Sequence, residues 1–348
     1  MEIGRQSSQI ICQFFTLHIK KNGLPNYWVI FAPAKQFFQM ISRRNIRVKV
    51  MQCIYAMEAE NESLSENNSV SLLNKYLDNA SELFTFSIFL ITEVARYAEK
   101  HAKNRASKHL PTQEDLNINV KIAGNTILWQ ILESKSFQST VKKGKYELLI
   151  DQELVKKIYL QLAESEIYKT YIQEDGREKK TEKELLSFIF TDLIMANDDV
   201  TEYLEELFVQ WDDDAEMVYQ MVLNFLSKPG SLDVKEVIGN EKHQYAISLL
   251  KTTINKKDFT LEIIKPKLKN WDADRIAQLD MIMIRMGICE FLYFETIPTK
   301  VTINEYIDIA KSYSTQQSGQ FVNGILDSIH KELLSEGKLK KVDFKKQA

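Results

Sequence analysis

Apolar positions recur at helical steps along most of this chain, and the pattern is densest between Trp271 and Leu334. Leu279, Ile282, Met286, Cys289 and Tyr293 alternate three- and four-residue steps, which predicts one apolar stripe on a helix opened by Asp272 or Asp274. After Ile297-Pro298, the run Thr302-Ile303-Asn304-Glu305 has the form of a capping box, with Val301 and Tyr306 placed as a hydrophobic staple. The helix it opens would bury Ile303, Tyr306, Ile307, Ala310 and Tyr313 and stop in Ser314-Thr315-Gln316-Gln317. A third helix starts at Ser318 and carries Phe321, Val322, Ile325 and Ile329 on one side. Gly324 inside it costs about 1 kcal/mol relative to Ala, so a close helix approach is expected there. Phe321, in the first turn, has two readings: a core aromatic, or a ring left partly exposed beside the polar loop. Three short helices in succession imply a small bundle.

Upstream, Ser42 is placed to cap a helix whose buried face is Ile46, Val50, Cys53, Ile54 and Met57. Its first turns hold Arg43, Arg44 and Arg47, with Lys49 farther round. Cations at a helix N-terminus oppose the macrodipole, and a broken local rule of this kind is where function is expected. The three arginines form a cationic edge: either an ordinary solvated face, or a seat for a phosphate chain that also meets the free N–H groups. A polar, acidic linker from Glu60 to Ser69 leads into a long helix through Leu72, Leu77, Phe84, Ile91 and Tyr97, which frays into a loop from His101 to Pro111. Thr126 to Leu132 and Asp151 to Ile172 read as helices. Thr181-Glu182-Lys183-Glu184 forms a second capping box and opens a block, Glu184 to Ser227, with no Lys or Arg. That block repels phosphate. Its Asp212-Asp213-Asp214 suits a helix start better than a divalent metal. His243 to Ile254 is a further amphipathic helix, and Phe259 to Leu268 continues toward Trp271.

Composition narrows the class. At 44% hydrophobic, with 11 Gly and 6 Pro in 348 residues, the chain lacks the punctuation of a β-rich protein and reads as all-α. A net charge of -3 means that any nucleic-acid role must come from a local patch. Cys12, Cys53 and Cys289 are far apart and read as reduced packing residues of a cytoplasmic protein. His101 and His109 lack a second ligand pair and read as loop histidines, so no metal is expected. No run approaches the roughly 20 apolar residues of a membrane span. Residues 1–39 are aromatic without a period and too polar for a signal peptide, so translation is expected to start at Met40. No phosphate loop, His-Glu-x-x-His, Cys-x-x-Cys or nucleophile elbow is present, so no catalytic residue or cofactor is assigned.

Arg285, Glu290, Pro298-Thr299-Lys300-Val301-Thr302-Ile303-Asn304-Glu305, Ala310-Lys311-Ser312-Tyr313 and Phe321-Val322-Asn323-Gly324-Ile325-Leu326-Asp327 together resemble the C-terminal half of the NusB family of transcription antitermination factors. Arg43-Arg44-x-x-Arg47 followed by Gln52-Cys53-Ile54-Tyr55 resembles the family's opening helix. The resemblance covers Ile41 to Tyr55, weakly His243 to Asn270, and strongly Asp274 to Leu334.

It implies NusB-like helical bundles, an N-terminal one from 40–60 plus 241–270 and a C-terminal one at 271–336, with a helical insertion at 61–240 and a basic tail at 337–348. It also implies a heterodimer with the ribosomal protein NusE, recognition of single-stranded boxA RNA, and a place in the transcription elongation complex. By position, Arg43, Arg44 and Arg47 would hold phosphates, Arg285 would line the RNA path, and Phe321 would stack a base. Asp280 would lie at the RNA or partner surface. Gln317 stands where the family is commonly acidic, so an amide contact is expected there. The other expectation is an all-helical protein-binding scaffold without RNA affinity, recognising its partner through the acidic insertion.

Overall fold

The Ser42 hydroxyl accepts the Asn45 amide at 3.1 Å, and helix α1 follows over Arg43–Ala59. The computed structural model describes residues 41–59, 66–228, 237–268 and 276–342, and among them every regular element is helical. Residues 1–39, Met40, Cys12, the linker at 60–65, Pro229-Gly230, the Asp272/Asp274 helix opening and Lys345-Lys346 lie outside the described residues.

The described residues divide into two compact units. One takes 42–77 and 239–342, the other 41 and 78–238, and helix α2 (Glu66–Ala106) supplies turns to each.

The second unit continues with α3 (Thr126–Glu133), α4 (Lys135–Gly144), α5 (Gln152–Glu164), α6 (Glu166–Gln173), α7 (Lys179–Phe188), α8 (Asp198–Leu207) and α9 (Trp211–Ser227). Asp151 to Ile172 is therefore two helices rather than one. Ser165 separates them, because its hydroxyl accepts the Tyr168 amide and caps α6. The helix α4 carries no strong apolar run and was not expected. The capping box at Thr181 is absent: α7 begins two residues earlier, and the Thr181 hydroxyl donates to the Glu178 carbonyl. Glu182 is instead a fully buried hub, accepting from the Thr126 amide and hydroxyl, Tyr171 and Arg177. His101 lies within α2, not in a loop. Asp212, Asp213 and Asp214 occupy the first turn of α9, where the macrodipole favours them.

The first unit resumes with α10 (Asn240–Asn255), α11 (Lys257–Ile264), α12 (Gln278–Tyr293), α13 (Thr299–Tyr313) and α14 (Ser318–Ser335). Helix α12 is the axis of this unit. It is buried on all sides rather than along one stripe, as Ile282, Met283, Ile284, Met286, Ile288 and Phe291 show, and Tyr293 is its exposed end. The helices α1, α10, α13 and α14 pack around it.

The tight approach is at Gly287, not Gly324. A Cβ at Gly287 would come within 2.8 Å of Leu326 Cδ2, whereas nothing lies within 4 Å of one at Gly324. The Thr302 capping box also gives way. Pro298 occupies the N-cap, α13 starts at Thr299, Val301 is exposed, and Thr302 is turned inward.

Candidate nucleic-acid interface

Three arginines were expected on one cationic edge; α1 separates them by burial. Arg47 is 2% exposed. Its Nε and Nη2 donate to the two carboxylate oxygens of Glu290 at 2.7 and 3.0 Å. Glu290 also accepts from the hydroxyls of Tyr245 at 2.6 Å, Thr302 at 2.9 Å and Tyr306 at 3.1 Å. The Arg47 guanidinium lies 5.8 Å from the centroids of both tyrosine rings. Burial works against its charge, but Glu290 outweighs burial and raises the arginine above its ordinary pKa. Burial and the same carboxylate hold both tyrosines well above theirs. The expectation that Arg47 touches phosphate is therefore corrected: its fork is spent on a core carboxylate.

Arg285 is corrected on the same ground. It is buried, with Nη1 on Glu58 at 2.7 Å and Nη2 on the Thr253 carbonyl at 3.4 Å. Burial pushes the Glu58 carboxyl up, but Lys257 and Arg285 together bring it below its ordinary value. Phe321 is 4% exposed, so of its two readings the core aromatic is the one observed.

Asp280 is also buried. One oxygen accepts from Ser318 at 2.7 Å and the other has no hydrogen-bond partner. Burial raises its pKa, against the hydrogen bonds from Ser318 and Ser314. Gln317, the residue before α14, is exposed.

What stays at the surface of this edge is Arg43, Arg44 and Lys311. The side chains of Arg43 and Arg44 are 41% and 46% exposed. They border a cleft of about 440 Å³ lined by Ser42, Arg43, Arg44, Arg47, Ile297, Pro298, Val301 and Glu305. Arg43 pairs with Glu241. Arg44 pairs with Glu305 through Nε and Nη2, at 3.0 and 3.2 Å, and with Asp308 at 2.8 Å.

From there the contacts run on. Asp308 lies 3.9 Å from Lys311, whose stem covers Gly319 so closely that a Cβ there would be 2.9 Å from its Cγ. The start of α1 and the first turn of α14 are thus joined along α13, with exposed Lys311 between them and Gln317 at the far end. Lys311 stands in the Ala310-Lys311-Ser312-Tyr313 motif, but nothing in its local pattern marks it. Its place opposite Gly319 is a tertiary fact.

A model described as the NusB family matches residues 210–331. That span begins inside the acidic block. Three curated proteins, each called "Transcription antitermination protein NusB", are similar. The one from Salinibacter ruber is 42% identical over 97 residues, which is 28% of this chain and 61% of that protein. For Natranaerobius thermophilus the values are 32% over 123 residues, 34% and 88%. For Methylacidiphilum infernorum they are 48% over 83 residues, 24% and 58%. The chain thus spans under two thirds of the first and third relatives. No solved structure matches.

Proposed function

The chain belongs to the NusB family, and on that premise we propose that it is a cytoplasmic transcription antitermination factor, a binding protein rather than an enzyme. Its ligand is single-stranded boxA-type RNA, taken together with NusE within the elongation complex, and residues 78–209, which precede the matched span, are an insertion into the family's bundles. The observation that supports this reading is the run Arg44–Asp308–Lys311–Gly319, which lays exposed cations from the first turn of α1 to the first turn of α14.

On this surface Arg43, Arg44 and Lys311 meet phosphates and Gln317 offers an amide to a base or sugar. Arg47 and Arg285 act from below, holding the helices that carry the surface. With three cations on the backbone, log affinity should fall against log salt with a slope of about −2.

Titration of a labelled boxA-type RNA, with and without NusE, at several salt concentrations tests the reading. Salt-sensitive binding lost in an Arg43→Gln/Arg44→Gln variant supports it. Salt-independent binding, or none with NusE present, favours the scaffold reading, for which the exposed acids Asp198, Asp199, Glu202 and Glu206 on α8 are the evident surface.

A further inference from the structure

We propose that Glu305 and Asp308 are built-in competitors for the RNA backbone, occupying Arg44 until a polyanion displaces them. This rests on the RNA-binding reading and adds to it a control on which anions the site accepts.

The geometry is that of a phosphate mimic. Two carboxylates one helical turn apart on α13 take the positions around the Arg44 guanidinium that phosphate oxygens would take. Glu305 receives the side of the fork formed by Nε and Nη2, and Asp308 receives Nη2. Their hydrogen bonds hold the arginine's charge more firmly than water would.

The clamp is placed to open. Arg44 and Asp308 are each 46% exposed and Glu305 22%, whereas the Arg47–Glu290 pair is sealed at 2% and 0%. Exposed ion pairs are weak and exchange with solvent ions; sealed ones are not displaced. Glu305 also has somewhere to go, because Arg47 Nη1 lies 3.5 Å from its Oε2. Asp308, half exposed, returns to water.

A lone small anion must displace two tethered carboxylates without a tether of its own. A nucleic-acid backbone, anchored at neighbouring cations, presents its next phosphate at high effective concentration and does so readily. The acids therefore exclude small anions and set RNA affinity below what the bare arginine would give.

A double-mutant cycle on the full chain tests this. The variants are Glu305→Gln/Asp308→Asn, Arg44→Gln and the triple, each titrated with a single-stranded boxA-type RNA and, separately, with inorganic phosphate. Neutralising the acids should tighten RNA binding by about fivefold or more at moderate salt. It should also steepen the salt dependence, since displaced carboxylates no longer take up cations as RNA releases them. Phosphate should gain measurable binding. Each effect should vanish when Arg44 is also Gln.

If wild type binds RNA and neutralisation changes nothing, or the gain persists without Arg44, the competitor role is overturned while the RNA reading stands. If wild type fails to bind and the neutralised variant binds through Arg44, the competitor role is upheld. If neither binds, both fall.

Discussion

Arg47 and Glu290, 243 positions apart in the chain, close a two-bond fork in the interior of the first unit. Three hydroxyls complete the carboxylate, one from α10 and two from α13. Four helices are thereby tied to one charged group. The registry of α1 against α12 and α13, and so the position of Arg43 and Arg44 at the cleft, depends on this pair.

Breaking it from one side should be severe. Glu290→Gln leaves a buried guanidinium without its counter-charge, and a loss of about 3–5 kcal/mol is expected. Replacing both residues with apolar ones of similar size should cost less than either single change. Urea unfolding of the three variants checks the coupling, and additive losses would remove the pair from its central role.

The glycines of α12 and α14 make opposite predictions. Gly287→Ala forces Leu326 to move and should destabilise by about 1–3 kcal/mol. Gly324→Ala fills open space in a helix interior and should stabilise by about 0.5–1 kcal/mol. Thermal melts of the two variants should shift in opposite directions.

Local features were legible and distant partners were not. The Ser42 cap could be read because its partner is three residues away. The Thr302 and Thr181 boxes had the right letters, yet Thr302 donates to Glu290, and Glu182 satisfies the α3 start. At Thr302 a buried carboxylate takes the hydroxyl; at Thr181 the helix starts earlier in the chain and the hydroxyl turns back to the Glu178 carbonyl. Arg47 read as a surface cation because the glutamate that buries it lies in another helix. The same blindness runs the other way at Lys311, ordinary in sequence and central on the folded surface.

Asp280 should leave a signature in pH. Its folded pKa is raised by burial above the ordinary aspartate value, so the folded state holds this proton more tightly than the unfolded chain does. Stability from this group is fully present below the unfolded value and is lost as pH rises through the folded one. Asp280→Asn removes that loss. Relative to wild type it should grow more favourable as pH rises from the acidic range toward neutrality, followed by urea midpoints across that range. A flat difference would mean that the carboxyl is not desolvated.

Phe321 and Gln317 separate what supports the surface from what belongs to it. Phe321 is inside, so Phe321→Ala should cost about 3–5 kcal/mol, and any loss of RNA binding should follow the unfolded fraction. Gln317 is exposed, so Gln317→Ala should leave the melting temperature unchanged and weaken RNA binding without altering its salt slope, because the amide carries no charge. Melts, with anisotropy titrations well below the transition, distinguish the two. A Phe321→Ala protein that is fully folded yet blind to RNA would return the ring to the binding surface. Gln317→Ala binding as wild type would confine the contact to the cations of α1 and α13.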